Sequence, residues 1–120
     1  EILVFEHPLT GFQLVKGTIE HGESLEDACE RELFEESGIV GKVSENLGDW
    51  QAGFKGQVWS FCIMAYEQDL PEAWEYETQD GGGLTFRFSW YPLKVKPSGN
   101  WHPVFVRALG EVRKRLLCTS

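Results

Sequence analysis

Between Ser24 and Gly38 the chain carries a helix whose two ends are both written in its residues. Ser24-x-x-Asp27 has the form of a capping box, with Asp in place of Glu. Gly38 suits the left-handed position that ends a helix. At about 100° per residue, Leu25, Ala28, Cys29 and Leu33 share one side, which must pack on an apolar surface. In the last turns Glu32, Glu35 and Glu36 fall on or beside that side, while Phe34 points the other way. Like charges at i,i+3 and i,i+4 cost a few tenths of a kcal/mol per pair. Partial burial adds a desolvation cost, and the C-terminal dipole disfavours anions. Conflicts of this kind belong to functional sites. A hard divalent cation, Mg²⁺ or Mn²⁺, would relieve the crowding. The competing reading is a solvated helix end balanced by Arg31 and water. The expectation carried forward is that metal, not protein, balances this face.

The other elements follow from period and punctuation. Ile2–Glu6 and Gly11–Val15 read as strands around a turn at His7-Pro8-Leu9-Thr10. Residues 17–23 are a loop. Val40–Leu47, Gln57–Tyr66, Trp74–Thr78 and Leu84–Leu93 are further predicted strands, the last two forming a hairpin around residues 79–83. Phe105, Ala108, Leu109, Val112 and Leu116 form the apolar stripe of a closing helix. Strands, helix, strands, helix is the order of an α+β or layered α/β domain, with a mixed sheet between two helices.

At 120 residues the chain fits one domain, and eight Phe, five Trp and three Tyr are too much aromatic surface to leave solvated. No window approaches the ~20 apolar residues of a membrane span. The chain opens on Glu1, so the expectation is that it starts inside a longer gene product. Cys29, Cys62 and Cys118 form no CxxC pair and read as reduced thiols, which points to the cytoplasm.

The net charge of −8 argues against a general grip on long DNA or RNA. Eight of the 19 acids lie in residues 17–39, where Arg31 is the one base, and six more lie in residues 67–83. The stretch from Lys94 to Arg115 has six bases and one acid, and reads as the solvated face of the last helix.

The acidic helix belongs to a longer pattern. Gly17 is followed after five residues by Glu23, and after seven more by Arg31-Glu32-Leu33-x-Glu35-Glu36-x-Gly38-Ile39. Seven fixed residues at background frequencies of ~5–7% make a chance match rarer than roughly one in a million. The segment closely resembles the signature box of the Nudix hydrolase superfamily, and the flanking order of elements is similar to a Nudix domain.

The resemblance implies an α/β/α sandwich around a mixed β-sheet. It also implies metal-dependent hydrolysis of a pyrophosphate bond in a small nucleotide-type substrate. Pyrophosphate repels an attacking water, so catalysis needs cations, a base and fixed positions for both. By resemblance Glu32, Glu35, Glu36 and the Gly17 carbonyl are metal ligands, and Glu32 and Glu35 are the residues nearest the chemistry. Which carboxylate is the base stays open. Arg31 orients a box carboxylate, Glu23 braces the loop and Gly38 is a cap. A Lys-Gly start to the box also occurs in dinucleoside polyphosphate and RNA pyrophosphohydrolases, which favours a polyphosphate substrate.

Outside the box, Nudix enzymes often recruit another acid from after it. Glu67, Asp69, Glu72, Glu75, Glu77 and Asp80 are candidates, with Glu77 preferred as a further metal ligand. Lys16 and Arg87 are candidate substrate contacts, with a solvated loop lysine and a cross-strand ion pair as their plainer readings. Trp50, Phe54, Trp74 and Tyr76 could stack on a base, although aromatics on strands usually fill the core. The charge argues against long RNA and highly phosphorylated inositols, and leaves small nucleotides open. Two rivals to an enzyme are a non-catalytic Nudix-fold module that binds a nucleotide and an acidic protein-interaction domain.

Overall fold

The computed structural model describes residues 1–78 and 83–117. Its elements are β1 (Ile2–His7), β2 (Gly11–Leu14), α1 (Leu25–Ser37), β3 (Gly41–Gln51), β4 (Val58–Tyr66), β5 (Ala73–Glu77), β6 (Thr85–Tyr91) and α2 (Pro103–Leu117). Local chemistry sets the ends of α1. The Ser24 hydroxyl accepts the Asp27 amide at 3.1 Å, satisfying one orphan donor of the first turn. Gly38, at φ 80°, donates its N–H to Phe34 O at 2.9 Å.

Four strands form one sheet in the order β2-β1-β6-β5, and β3 and β4 form a second. Every ladder between named strands is antiparallel. The mixed character of the sheet comes from one parallel bridge, Phe12 with Trp101. Short connections such as the one between β1 and β2 can join only antiparallel neighbours. The predicted hairpin is present as β5 paired with β6; residues 79–82 of its connection lie outside the described residues.

The four-stranded sheet buries both faces. Val4 and Leu14 pack with Val104, Phe105 and Ala108 of α2 and with Ala52. Phe5, on the opposite side of the pleat, packs with Phe86 and Phe88. Strand β3 runs four residues past its predicted end, because Gly48 does not break it. Two register shifts, between Val43 and Glu45 and between Asn46 and Gly48, absorb the extra residues as bulges, and Gly48 sits at φ 95°.

Helix α2 buries Phe105, Ala108, Leu109 and Val112 of the expected stripe, with Val104 buried beside them and Leu116 half-buried. Its arginines depart from the solvated reading. Arg107 donates to Ala52 O at 2.7 Å, Arg113 to Leu93 O and Val95 O, and Arg115 to Leu47 O at 3.1 Å and Asp49 O at 2.7 Å. They tie the helix to carbonyls that the bulged strand and the loops leave outside any ladder, and a buried or half-buried carbonyl needs a donor.

Candidate active site around the acidic helix

Tertiary contact first joins the loop before α1 to its last turns. Gly17 lies against Glu32 so closely that a Cβ at Gly17 would stand 2.0 Å from both Glu32 Cγ and Cδ. Only a residue without a side chain allows that approach. The loop is held by Glu23, whose Oε1 accepts the Glu20 amide at 3.0 Å.

Arg31 is the hub of the charges. Its Nε donates to Glu23 Oε2 at 2.8 Å and its Nη2 to Glu23 Oε1 at 3.0 Å, a bidentate pair. Nη1 donates to Glu32 Oε1 at 2.8 Å and to Glu35 Oε2 at 3.2 Å, and Nη2 also reaches Thr18 O at 2.9 Å. The hydrogen bonds from Arg31 hold the Glu23 carboxyl down to about 2, against an ordinary 4.5. The same bonds raise the Arg31 guanidinium above its usual range.

This corrects the expectation that metal alone balances the face: a protein cation bonds two of the three glutamates. The three also differ in exposure. Glu32 keeps 15% of its side-chain exposure and Glu35 keeps 43%, so Glu35 stands at the solvent edge of the helix. Glu36 is half-buried, with its Oε2 shielded from water. Phe34 points away and is exposed, as expected.

The donor set fits a hard divalent cation in kind: carboxylate oxygens on one helix face, with a loop backbone pressed against one of them. Among the described residues no group of three or more His, Cys, Asp or Glu is arranged to hold a metal ion. The Glu32 and Glu35 oxygens are turned toward Arg31.

The end of β5 closes on the C-terminal turn of α1. A Cβ on Gly38 would lie 2.9 Å from the Tyr76 ring, and Thr78 Oγ1 donates to Glu35 O at 3.4 Å. Gly38 therefore serves both the left-handed cap and this ring contact. Thr78 was not among the expected site residues. The period-2 rule that puts Tyr76 and Thr78 on one face would have found it, given that the helix lies there.

The same rule places Glu77 and Arg87 on the face turned away from Tyr76, so the structure does not bring them to the helix glutamates. Arg87 stands in register between Glu6 of β1 and Glu75 of β5, the setting for cross-strand charge pairing. Asp80 lies outside the described residues. Trp74 is stacked on Phe88 at 5.3 Å, and Trp50 packs edge-on to Trp59 at 5.6 Å, so both serve the core. Lys16, next to Gly17, holds its Nζ 5.1 Å from the centre of the Trp59 ring.

Comparison with known proteins agrees with this arrangement. The sequence is 42% identical over 76 residues to Nudix hydrolase 4 of Arabidopsis thaliana, covering 63% of this chain and 36% of that protein. It is 49% identical over 41 residues to the chloroplastic Nudix hydrolase 21 of the same plant, covering 34% of this chain and 21% of that protein. The aligned segments thus span about a third and a fifth of these relatives. No solved structure matches the chain. No helix among the described residues is long and apolar enough to cross a membrane. Nudix proteins are generally divalent-metal dependent and act on small nucleotide-type substrates. The NUDIX domain family matches residues 1–109, nearly the whole chain and all of the Gly17–Ile39 segment, and the chain belongs to the Nudix family.

Proposed function

We propose that residues 1–120 act as one Nudix domain that hydrolyses a pyrophosphate bond in a nucleoside diphosphate-linked substrate, with Mg²⁺ or Mn²⁺. The observation that carries this reading is the approach of Gly17 to Glu32, which joins the loop of the signature to its helix. Such an approach has no purpose in a merely solvated helix end. Both relatives are named as Nudix hydrolases, in line with an enzyme.

Glu32, Glu36, Glu35 and the Gly17 carbonyl are the residues that would hold the cation. The ion supplies charge neutralisation at the diphosphate and a more acidic water. The chain supplies position. Glu23 and Arg31 hold the loop against the helix, and Arg31 keeps Glu32 and Glu35 oriented. Tyr76 and Thr78 brace the helix end on which Glu35 and Glu36 stand. The cytoplasmic placement rests on the thiols alone, and one relative carries the chloroplast in its name, so a fluorescent fusion of the whole protein is the test of compartment.

Glu32→Gln and Glu36→Gln should each lower turnover by orders of magnitude while circular dichroism and melting stay close to wild type. The measurement is phosphate release from a nucleotide panel, with metal and with chelator. Wild-type turnover in both variants would sink the reading. Tight nucleotide binding with no turnover in the wild type would replace it with a non-catalytic binding module.

A further inference from the structure

Cys29 and Cys62 are far apart in the sequence, and the fold brings them together. Leu33 of α1 lies against Gly41, where a Cβ would stand 2.8 Å from Leu33 Cδ2 and 3.7 Å from Met64 Cε. Leu33 and Met64 of β4 therefore meet at this glycine. Glu30 Oε2 accepts the Val43 amide at 3.3 Å, so going back along α1 goes forward along β3. Because β3 and β4 are antiparallel, it also goes back along β4. Cys29 precedes Leu33 by about one helical turn on the same side, and Cys62 precedes Met64 by one full pleat on the same face. Those steps are ~5.4 Å and ~6.7 Å, close enough to match. The helix that meets β4 at Leu33 meets it again at Cys29, and the Cys62 thiol is within hydrogen-bonding reach of the Cys29 thiol.

A small reagent can reach this pair. Both cysteines are half-buried, and no residue of β4 is fully buried. Burial first, and then the bond with Cys62, raise the Cys29 thiol above its ordinary range, with Glu26 and Glu30 adding to the effect. Cys29 thus keeps its proton at neutral pH, and exchange with an outside disulfide begins at Cys62. That exchange removes the Cys62 bond that helps Cys29 hold its proton. Cys118 lies outside the described residues.

We propose that Cys29 and Cys62 are a reversible oxidation site: a small-molecule disulfide such as oxidised glutathione links them, and the bond fastens the acidic helix to β4 and lowers turnover. The Cys62 sulfur attacks the reagent and releases one thiol, leaving a mixed disulfide. The Cys29 sulfur then attacks that bond at the Cys62 sulfur and releases the second thiol. One S–S bond breaks in the reagent and one forms in the protein; both protons leave on the released thiols, and the protein's two electrons reduce the oxidant. Bonded sulfurs stand ~2.0 Å apart, closer than two thiols can, so closure draws Cys29 toward β4. Leu33 already presses on Gly41, so the helix tilts rather than following evenly. Glu32, which precedes Leu33 and lies against Gly17, moves with it, and a small misplacement there is costly. The fall in turnover rests on the pyrophosphohydrolase reading; the bond itself does not.

The experiment treats the full chain, carrying Cys118→Ser, with oxidised glutathione and reads intact mass, peptide map and metal-dependent turnover. The expected product has lost two hydrogens, yields a peptide joining Cys29 to Cys62, and turns over about tenfold more slowly. Dithiothreitol should restore both mass and rate. Adding Cys29→Ser should stop the reaction at a single glutathione on Cys62. Adding Cys62→Ser should abolish the link and keep turnover under oxidant within about twofold of the reduced protein. Cys62→Ala runs beside it, so that a half-buried hydroxyl is not mistaken for a lost bond. Free thiols after oxidation, glutathione on both cysteines, or a linked protein with the turnover of the reduced one overturns the proposal. Failure of the hydrolase reading shows separately, as absent turnover on every nucleotide in the reduced protein, while the mass still decides whether the bond forms.

Discussion

Arg31 on α1 and Arg115 on α2 are buried to the same degree, with side-chain exposures of 22% and 21%, and they spend their donors differently. Arg31 gives most of its bonds to the carboxylates of Glu23, Glu32 and Glu35. Arg115 gives one to Glu111 and the rest to the backbone carbonyls of Leu47 and Asp49. In the first region the fold gathers acids and needs a cation to keep them together. In the second a bulged strand leaves carbonyls without ladder partners, and the guanidinium fork completes them. A half-buried arginine is therefore a marker of unmet acceptors, and the type of acceptor tells whether the neighbourhood is built for charge or for packing.

The sharpest way to break this comparison is at the glycine beside each arginine cluster. Gly17→Ala would put a methyl inside the Glu32 side chain, so Glu32 must move. The expected result is a fall in turnover on the order of a hundredfold, from misplacement of a single carboxylate, with at most ~1–3 kcal/mol lost in stability. Gly48→Ala meets the Arg115 guanidinium at an ordinary 3.6 Å, but it forces a side chain onto a left-handed backbone. It should cost about 1 kcal/mol in stability and leave turnover unchanged. Denaturant melts and steady-state rates on both variants check this; equal loss of activity in the two would erase the distinction between the regions.

Replacing the arginines themselves sharpens it. Arg31→Met and Arg115→Met should each destabilise by ~1–3 kcal/mol, since each leaves half-buried acceptors without donors. The two losses should respond differently to pH. The Arg31 loss shrinks as pH falls from about 4.5 toward 2, because the unfolded chain takes up a proton on Glu23 that the folded pair resists, while most of the Arg115 loss persists because carbonyls do not titrate. Urea midpoints at pH 7 and pH 3 decide it, and parallel pH behaviour would count against the separation.

The smallest expected effect concerns Glu23 alone. Its carboxyl is held at about 2 against an ordinary 4.5, so the folded state favours its ionised form. The resulting stabilisation is present above pH 4.5 and is lost as pH falls from about 4.5 toward 2. Glu23→Gln should therefore show a shallower acid limb in a melting series than wild type. Superimposable acid limbs would mean that the Arg31–Glu23 pair contributes nothing to folding.

Local chemistry made much of this molecule legible in its residues. Ser24 and Gly38 bound α1 because a cap hydroxyl and a left-handed glycine act within one turn of where they stand. The β5–β6 hairpin and the buried stripe of α2 follow from periods of two and 3.6, which need no knowledge of the partner surface. The spacing of the Gly17–Ile39 segment pointed to the family before any coordinate did.

Other features depended on which surfaces met. Gly48 looks like a strand end in the sequence, and only pairing with β4 shows that bulges carry β3 through it. The bases of α2 look solvated until the carbonyls of residues 47, 49, 52, 93 and 95 are seen beneath them. Whether an acid or base near the signature faces the helix was settled by the pleat, which turns Tyr76 and Thr78 toward α1 and Glu77 and Arg87 away. The sequence by itself determined helix ends, periodicity and the membership of the acidic cluster, because these are set by neighbours along the chain. The tertiary structure decided which cation meets which anion, and which glycine lies against which carboxylate, because those contacts join segments that the sequence holds apart.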